Sequence, residues 1–448
     1  MKKPRKAPNI KDLWNTLSLS SEHFIHILEE SRKSEREGKY RHWDTLRHIK
    51  PPANLTHEEW WLGTKLDRLG GIQKIPLSDK EKRAFSFNVP DSVAKQLHEI
   101  DLGAGGSVGI PEPLVNPHIR NQYLVRSLIQ ESITSSQLEG AAVTREIAKE
   151  MLRSGRPPRN KNEQMILNNY LTMQRIQAWK DQALDENLIF EIHRQVTEHT
   201  LDHSDAVGRC RKDDETVIVE DSQTKEILHE PPQANELTER LKKMCDFANG
   251  KTPSYFIHPV IRAIILHFWL AYDHPFVDGN GRTARALFYW SMLRNGYWLF
   301  EYISISEVIL KAPSQYGAAF LYTETDDNDL TYFIIHQSEV IQKSLQSLNE
   351  YIKMKTRNLE EVEALLHREI FNYRQEALLA HALRHPRAVY TIEEHRTSHG
   401  IVYETARQDL LQLHAAGLLE MRKKGKCFVF IAPTNLADLF RNKINIKE

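Results

Sequence analysis

The residues best suited to chemistry lie close together in the run HPFVDGNGRTAR, at positions 274–285 of this 448-residue chain. The run holds a histidine, an aspartate, two glycines around an asparagine, and two arginines. The flanking segments, HPVIRAIILHFWLAY and ALFYWSML, are apolar on almost every face, which is typical of buried helices. A polar, glycine-rich loop between two core helices is a common way to build an anion site at a helix N-terminus.

Each residue type in this loop suits the binding of phosphate. Gly279 and Gly281 let a ligand approach the main chain, and the N–H groups at the start of the next helix attract anions. Arg282 and Arg285 are three positions apart, so both can project from one face of that helix, and guanidinium forks match phosphate oxygens. Asp278 offers a hard oxygen ligand, which suits a Mg²⁺ ion whose other ligands are mainly the phosphates of a nucleotide.

His274 adds a candidate general base to the loop, because an unperturbed imidazole titrates near neutral pH. The residues alone therefore predict a magnesium–nucleotide phosphate site with a base beside it. They do not specify which group is transferred.

The same run resembles the signature of the Fic family, His-x-Phe-x-Asp/Glu-Gly-Asn-Gly-Arg-x-x-Arg, at every fixed position. Fic enzymes are mostly AMP transferases, which move the AMP of ATP onto a hydroxyl side chain of a target protein. The resemblance implies that His274 deprotonates that hydroxyl and that Asp278 holds Mg²⁺.

The resemblance also assigns the nucleotide contacts. Asn280, Gly281 and Arg282 are expected to bind the α- and β-phosphates, and Arg285 the γ-phosphate. The complete stretch from Gly279 to Arg282, together with Arg285, favours a triphosphate in the AMP-donating orientation. Further along the chain, Tyr316 is a candidate contact for the nucleotide base, with a packed core tyrosine as the alternative.

A helix predicted near 119–140 ends in SSQLEG and stops at Gly140, a usual helix terminator. Ser135 and Glu139 are four positions apart and share one face. This ending resembles the inhibitory motif of the family, Ser/Thr-x-x-x-Glu-Gly/Asn. The resemblance implies that Glu139 pairs with Arg285 and blocks the γ-phosphate position.

Residues 208–232 contain TVIVE and EILHE, and this β-branched pair predicts a hairpin. In the family such a hairpin is a flap over the active site, which pairs with the target backbone by adding a strand. Thr216, Val217, Ile218 and Val219 are the residues expected to offer that edge. The alternative is an ordinary surface hairpin.

The C-terminal residues 370–433 are predicted to form three helices and a two-stranded wing that turns at Lys424–Gly425, which resembles a winged helix-turn-helix domain. Its candidate contacts are Glu404, Thr405, Arg407 and Gln408 on the recognition helix and Arg422, Lys423, Lys424 and Lys426 on the wing. DNA binding is one interpretation. A protein-interaction or dimer-packing module is the other, because Glu404 and Asp409 disfavour phosphate contact.

The predicted fold class is mainly α: a Fic-like helical core with a β-hairpin flap, plus the C-terminal winged helix-turn-helix domain. The predicted domains are an N-terminal helical region at 1–109, a catalytic core at 110–340 that includes the inhibitory helix, a connecting helix at 341–369, and the winged helix at 370–448.

The composition of the chain limits the kinds of binding partner and the cellular compartment that we expect. With 60 Lys+Arg against 60 Asp+Glu, the balance does not suggest a dedicated nucleic-acid or membrane-surface protein. Cys210, Cys245 and Cys427 are scattered without metal spacing, which fits a reducing cytosol. The basic N-terminus lacks the apolar run of a signal peptide. We expect a cytoplasmic protein with no membrane association.

The predicted function is transfer of AMP from ATP, with Mg²⁺, to a Ser, Thr or Tyr hydroxyl of a target protein. Inhibition by Glu139 and self-modification are expected with it, and a homodimer is kept as an expectation because relatives often dimerise. One alternative is removal of AMP, with Glu139 positioning a hydrolytic water. The other is a DNA-binding regulator whose Fic-like core senses nucleotide.

Overall fold

Helices make up most of the protein, which confirms the predicted mainly α class. A computed structural model describes residues 2–17, 20–37, 40–104, 117–221, 224–366, 371–424 and 427–439. The helices are α1 Ile10–Thr16, α2 Ser21–Glu37, α3 Trp43–Leu46, α4 His57–Leu69, α5 Asp91–Ala104, α6 Pro117–Leu138, α7 Arg145–Ser154, α8 Lys161–Trp179, α9 Glu186–Thr197, α10 Leu237–Ala248, α11 Pro259–Asp273, α12 Asn280–Arg294, α13 Ile305–Lys311, α14 Pro313–Thr325, α15 Thr331–Leu366, α16 Tyr373–Arg384, α17 Ile392–His399 and α18 Tyr403–Ala415.

The strands are short and form three small antiparallel sheets in the described part of the chain. The strands are β1 Gln73–Ser78, β2 Ala84–Phe87, β3 Val219–Glu220, β4 Ile227–His229, β5 Val389–Thr391, β6 Glu420–Lys424 and β7 Cys427–Ile431. Two of the sheets are the hairpins β1–β2 and β3–β4, and the third has the order β5–β7–β6.

The chain divides into two compact units. The first combines residues 1–106 with 127–345, and the second combines residues 107–126 with 346–448. The candidate site lies within the first unit. Residues 105–116, between α5 and α6, lie outside the described residues.

The core of the first unit is built on α11 and α12, the two helices that flank the candidate loop. Trp269 and Phe268 on α11 and Trp290 and Phe288 on α12 are almost fully buried. Burial of each large aromatic side chain removes much apolar surface from water. The apolar sequence on almost every face of both helices follows from this central position.

Helix α6 is fixed to the core by one buried carboxylate and an apolar cluster. Glu131 accepts hydrogen bonds from the Tyr289 hydroxyl (3.0 Å), the Ser304 hydroxyl (2.8 Å) and both the backbone N–H and the hydroxyl of Ser306. Ile129 and Ile133 pack in a cluster with residues of α7 and α8. These contacts hold the C-terminal end of α6 in place over the site.

The N-terminal region contains a hairpin that the sequence prediction of a helical region omits. Ile75 and Leu77 of β1 and Phe85 and Phe87 of β2 are buried. The alternation of β1 and the two phenylalanines of β2 are the signals from which this hairpin could have been predicted.

A buried ion pair joins the N-terminal helices to the helices that follow the site. The Lys65 ammonium on α4 donates to Asp326 just after α14, with Nζ and Oδ1 2.8 Å apart. Asp326 also accepts from the Tyr332 hydroxyl at 2.7 Å. Burial alone would raise the pKa of Asp326, but the nearby Lys65 and Arg68 hold it below its usual value.

Breaking this pair should destabilise the first unit strongly. Asp326→Asn removes the carboxylate closest to the buried Lys65 ammonium and leaves only Asp327 Oδ2, at 3.8 Å. Loss of one partner of a buried pair costs about 3–5 kcal/mol. Glu239→Gln removes a carboxylate from a solvent-exposed ion pair with Lys243, so it should leave the unfolding midpoint unchanged. Denaturant titration of the two variants measures the difference, and equal stabilities would contradict a structural role for the buried pair.

The second unit has its own apolar core, formed by α16, α17, α18 and the three-stranded sheet. Leu379, Leu410 and Phe430 are almost fully buried there. On α18 the Glu404 carboxylate accepts from Arg407 (2.9 Å) and Gln408 (3.0 Å). Gly425 and Lys426, at the predicted turn of the wing, lie outside the described residues.

Among the described helices, none combines the length and the apolar character needed to cross a membrane.

Candidate active site

His274 ends helix α11, and its position fixes which ring nitrogen is basic. Its backbone is left-handed (φ 46°, ψ 55°) and its N–H closes the helix on the Leu270 carbonyl. The ring Nδ1 lies 3.1 Å from the Ala271 carbonyl oxygen. Because a carbonyl oxygen only accepts, Nδ1 carries the hydrogen and Nε2 keeps a lone pair.

The protonation behaviour of His274 differs from the sequence prediction. Titration near neutral pH is what an unperturbed imidazole would show, but burial lowers the pKa of His274 to about 4. Burial disfavours the charged form of an imidazole. The side chain is therefore neutral at physiological pH, which is the form that a general base requires.

Asn280 holds the loop together with its side chain. Its Oδ1 accepts from the Phe276 N–H (3.0 Å) and its Nδ2 donates to the Phe276 carbonyl (2.8 Å). Both polar atoms of the Asn280 side chain are therefore hydrogen-bonded within the loop. For a phosphate, Asn280 has its backbone N–H, which lies in the first turn of α12, where N–H groups have no partner within the helix.

His193 on α9 also positions the loop, although its role was not predicted from the sequence. Its ring stacks on Phe276 with centroids 3.7 Å apart. Nε2 donates to the Asp278 carbonyl (2.9 Å), and Nδ1 accepts from the Gly208 N–H (3.0 Å). Burial lowers its pKa to about 4, so the ring is neutral, as one donating and one accepting nitrogen require. A lone histidine on a buried helix face carries no sequence signal of this role.

Gly279 starts helix α12 in a conformation and a space that favour glycine. Its φ is +84°, and an added Cβ would lie 2.5 Å from the Thr197 methyl carbon. With no side chain at the N-cap, the N-terminus of α12 is left uncapped by residue 279. Unpaired N–H groups and the helix dipole make such an end attractive to anions.

Glu139 approaches the start of α12 closely, beside Gly281. A Cβ on Gly281 would lie 2.1 Å from the Glu139 carboxylate oxygen Oε1. The absence of a side chain at position 281 therefore gives the carboxylate its room. This places the predicted inhibitory residue directly against the predicted phosphate site.

Arg285 is almost fully buried and joins the two segments. Its Nε donates to the Ser135 hydroxyl (2.8 Å), and its Nη2 donates to the Ser135 carbonyl (2.9 Å) and to Glu139 Oε1 (2.8 Å). Burial alone would raise the pKa of Glu139, but the Arg285 guanidinium holds it below its usual value. Glu139 is therefore ionised at neutral pH, with its side chain 27% exposed.

Arg282 is fully buried with donor capacity to spare. Its Nη1 donates to the Val196 carbonyl at 2.7 Å. Its Nε and Nη2 have no hydrogen-bond partner among the described residues, although Nη2 lies 3.6 Å from Asp278 Oδ1. Buried donors are nearly always paired in native proteins, so these two nitrogens indicate that an acceptor belongs beside them.

Asp278 fits a metal that is held mainly by a nucleotide. Its side chain is 50% exposed. No cluster of three or more His, Cys, Asp or Glu side chains suited to a metal occurs in the described parts of the chain. One carboxylate with several phosphate oxygens is, however, a usual environment of Mg²⁺.

Tyr316 lies beside the arginine cluster. Its hydroxyl is 2.8 Å from His267 Nε2, and burial raises its pKa to about 12 although Arg285 opposes this. The ring contacts Phe320 and Phe333 edge-on or at a tilt. These contacts are those of a packed tyrosine, and a contact with a nucleotide base stays a prediction.

The β3–β4 hairpin, for which a flap role is predicted, is shorter than the sequence predicts. Of the run Thr216–Glu220, only Val219 and Glu220 belong to β3, which pairs with β4 through two irregularly spaced partners. Thr216, Val217 and Ile218 have no regular structure. The described ladder has only two rungs, so these three residues lie outside it.

A family model matches the part of the chain that contains the candidate loop. Residues 183–292 match the family model described as the Fic/DOC family, and they include His274, Asp278 and both arginines. The chain contains a Fic domain. A Fic family protein from Desulfovibrio desulfuricans G20 has the same fold, with a TM-score of 0.50 and 18% identity over 78% of this chain and 97% of that chain.

Two curated relatives are named "Protein adenylyltransferase Fic". The protein of Nematostella vectensis is 36% identical over 118 residues, which are 26% of this chain and 25% of that protein. The protein of Drosophila willistoni is 34% identical over 136 residues, 30% of this chain and 24% of that protein. The chain therefore spans about a quarter of the length of the curated relatives that it matches.

The Fic loop should be sensitive to one added methyl group at Gly279. Gly279→Ala combines a left-handed backbone, which costs about 1–2 kcal/mol for other residues, with overpacking against Thr197, which costs about 1–3 kcal/mol more. Gly296→Ala is the matched control, because φ is +85° there and an added Cβ meets no described atom within 4 Å. Chemical denaturation should show the larger loss for Gly279→Ala, and equal losses would contradict the close packing.

Proposed function

We propose that this protein transfers AMP from ATP to a serine, threonine or tyrosine hydroxyl of a target protein. The observation that carries the proposal is the buried Arg282, whose Nε and Nη2 have no partner among the described residues. Arg282 lies in the first turn of α12, and the run 274–285 that contains it also contains the neutral His274. The name of the curated relatives supports the same activity.

The proposed reaction uses His274 as the base. Its Nε2 takes the proton of the target hydroxyl as the hydroxyl oxygen attacks the α-phosphorus of ATP. A bond forms between that oxygen and the α-phosphorus, the bond to the bridging oxygen of the β-phosphate breaks, and pyrophosphate leaves. Proton removal by a positioned side chain contributes about 10²–10⁴-fold in rate.

The phosphates would be held by the start of α12 and its arginines. Backbone N–H groups of Asn280, Gly281 and Arg282 lie at the positive end of the helix dipole, and the Arg282 guanidinium supplies fixed positive charge. Mg²⁺, with Asp278 as its protein ligand, would supply further charge on the phosphates. Donors that are fixed before the reaction need no reorganisation when charge moves to the leaving pyrophosphate.

The flap would hold the target. Thr216, Val217 and Ile218 are not part of the described β3–β4 ladder, and the side chain of Ile218 is exposed. Their backbone groups can therefore pair with an extended segment of a target protein, as in strand addition to a sheet edge. We propose that these residues and Val219 present the target hydroxyl to His274.

Glu139 would inhibit this activity by occupying the place of the γ-phosphate. Its carboxylate is bound to Arg285 and lies against Gly281, so a γ-phosphate must compete with it for the same guanidinium. The ionised carboxylate also repels phosphate. Ser135 strengthens the arrangement, because it orients the Arg285 side chain through two hydrogen bonds.

Removal of Glu139 should release the activity. A hydrogen bond to a charged group contributes about 1.5–3 kcal/mol, so Glu139→Gly should raise protein labelling, including self-labelling, by about 10–100-fold. Labelled ATP with Mg²⁺ measures this directly. Arg285→Ala should not mimic it, because that change also removes the γ-phosphate contact.

The matched control is Glu146→Gly, which makes the same change at an exposed position of α7. It should label like the wild type. Equal labelling by the wild type and Glu139→Gly, at matched protein and ATP concentrations, would reject the inhibitory role.

His274 gives the activity a particular pH dependence. Since its pKa is lowered to about 4, the neutral, basic form predominates throughout pH 5.5–8. In the Glu139→Gly protein, kcat/KM for ATP should show no acid limb near pH 6.5, because kcat/KM reports the free enzyme. His274→Ala should lower the rate by about 10²–10⁴-fold while ATP still binds.

Circular dichroism at each pH controls for unfolding. An acid limb centred near pH 6.5 in a folded protein would show that the buried, neutral His274 of this structure is not the base. Full labelling by His274→Ala would reject the assignment altogether.

The same site favours AMP removal as a second candidate. The ionised, partly exposed Glu139 carboxylate lies in the site with His274 and could position a hydrolytic water. Incubation of an AMP-modified protein with the wild type and with Glu139→Gly separates the two functions. Loss of AMP with the wild type alone supports removal.

For the second unit we propose a winged helix-turn-helix fold, supported by the order of α16, β5, α17, α18, β6 and β7. The Glu404 carboxylate engages Arg407 and Gln408, which lowers the positive charge available to DNA phosphates. This favours a protein partner over DNA at α18. Binding of random-sequence duplex DNA at low salt, with loss at high salt, would favour DNA instead.

A further inference from the structure

The turn that contains His274 accepts hydrogen bonds from residues 208–232, which we call the flap region. Within residues 272–275, three carbonyl groups accept hydrogen bonds from that region. His229 Nε2 is 2.8 Å from the Tyr272 oxygen, Arg211 Nε is 3.0 Å from the His274 oxygen, and the Arg211 N–H is 2.8 Å from the Pro275 oxygen. The flap and the catalytic turn are thus tied together at both ends of the hairpin.

His229 is the flap-strand residue in this arrangement, and it has a second partner. Its Nδ1 lies 2.8 Å from Glu324 Oε2 on α14, and its side chain is only 9% exposed. The Tyr272 carbonyl oxygen can only accept a hydrogen bond, so Nε2 is the donor in that contact.

The hairpin needs this support because its own pairing is weak. The β3–β4 ladder has two irregularly spaced rungs, and an isolated two-stranded hairpin is marginally stable in water. A residue that joins β4 both to the catalytic turn and to α14 therefore contributes contacts that the two rungs of the hairpin do not supply.

We propose that His229 is a positioning residue, which fixes the flap to the catalytic turn and so sets the distance between a flap-bound target and His274. This inference rests on the proposed AMP transfer for its effect on rate. Its structural part, the attachment of β4 to the turn, can be tested without any activity. The contact with the Tyr272 carbonyl is the one that matters for the turn, and the contact with Glu324 orients the ring.

Two conservative variants separate the contacts. The amide nitrogen of His229→Gln lies near the position of Nε2, so it can still donate to the Tyr272 carbonyl. The amide nitrogen of His229→Asn lies near the position of Nδ1, so it can still donate to Glu324 only. His229→Ala loses both contacts, and His98→Ala makes the same change at an exposed position of α5.

The first measurement is hydrogen exchange by mass spectrometry on the full-length chain without nucleotide. Peptides that cover 226–230 and 271–277 should exchange about tenfold faster in His229→Ala and His229→Asn than in the wild type, because their exchange reports local opening. His229→Gln should stay near the wild type, and His98→Ala should be unchanged. Equal exchange in the wild type and His229→Ala would overturn the proposal.

The second measurement uses the same changes in the Glu139→Gly protein, with labelled ATP and Mg²⁺. Ala and Asn should lower kcat for self-labelling by about 10–100-fold, as misplacement of reacting groups does, with KM for ATP unchanged. Gln should retain most of the rate. Equal losses for Gln, Asn and Ala, together with lowered unfolding temperatures, would show a merely structural histidine and overturn the proposal.

The two measurements also separate this proposal from the proposed function. If the Glu139→Gly parent incorporates no label, the AMP transfer is wrong, and the exchange experiment still decides whether His229 fixes the flap. If the parent labels and the exchange pattern is absent, the positioning role alone fails.

Discussion

The ion pair between Arg285 and Glu139 is the interaction on which the site depends. It joins helix α12 to the end of α6, two segments that are 146 positions apart. A guanidinium as deeply buried as that of Arg285 needs a negative partner, because an uncompensated buried charge is strongly unfavourable. In the structure Glu139 and Ser135 supply the partners. In the proposed active state the γ-phosphate would take the place of the carboxylate. The inhibitory carboxylate and the substrate would then compete for the same Arg285 guanidinium.

Other residues of the first unit hold Arg285 and the loop at 274–285 in fixed positions. Glu131 anchors α6 through hydroxyl and backbone donors, and the position of Glu139 depends on this anchor. His193 and Asn280 fix the backbone of the loop from inside, so neither of their side chains faces a ligand. Gly279 and Gly281 differ in what they allow: the first permits a left-handed turn against Thr197, and the second leaves room for the Glu139 carboxylate.

Sequence reasoning predicted the residues that carry charge or a reactive group, because their types and spacing are visible in one short run. It also predicted the buried helices on both sides and the mainly α class. It could not predict the pKa of His274, which depends on burial by distant segments. His193 and His229 were missed for a related reason, since each acts through contacts with backbone carbonyls far along the chain. The β1–β2 hairpin was missed although its alternating apolar residues were visible, and the strand at Thr216–Glu220 proved shorter because its partner offers only two rungs.

If Glu139 competes with the γ-phosphate for Arg285, its removal should favour ATP over ADP. The most direct measurement compares the affinities of ATP and ADP, each with Mg²⁺, for the wild type and for Glu139→Gly by calorimetry. The two nucleotides differ only in the γ-phosphate. We expect the wild type to bind them about equally and Glu139→Gly to bind ATP about 10–100-fold more tightly than ADP, the range expected for a charged hydrogen bond. The same ratio of ATP affinity to ADP affinity in both proteins would contradict this competition.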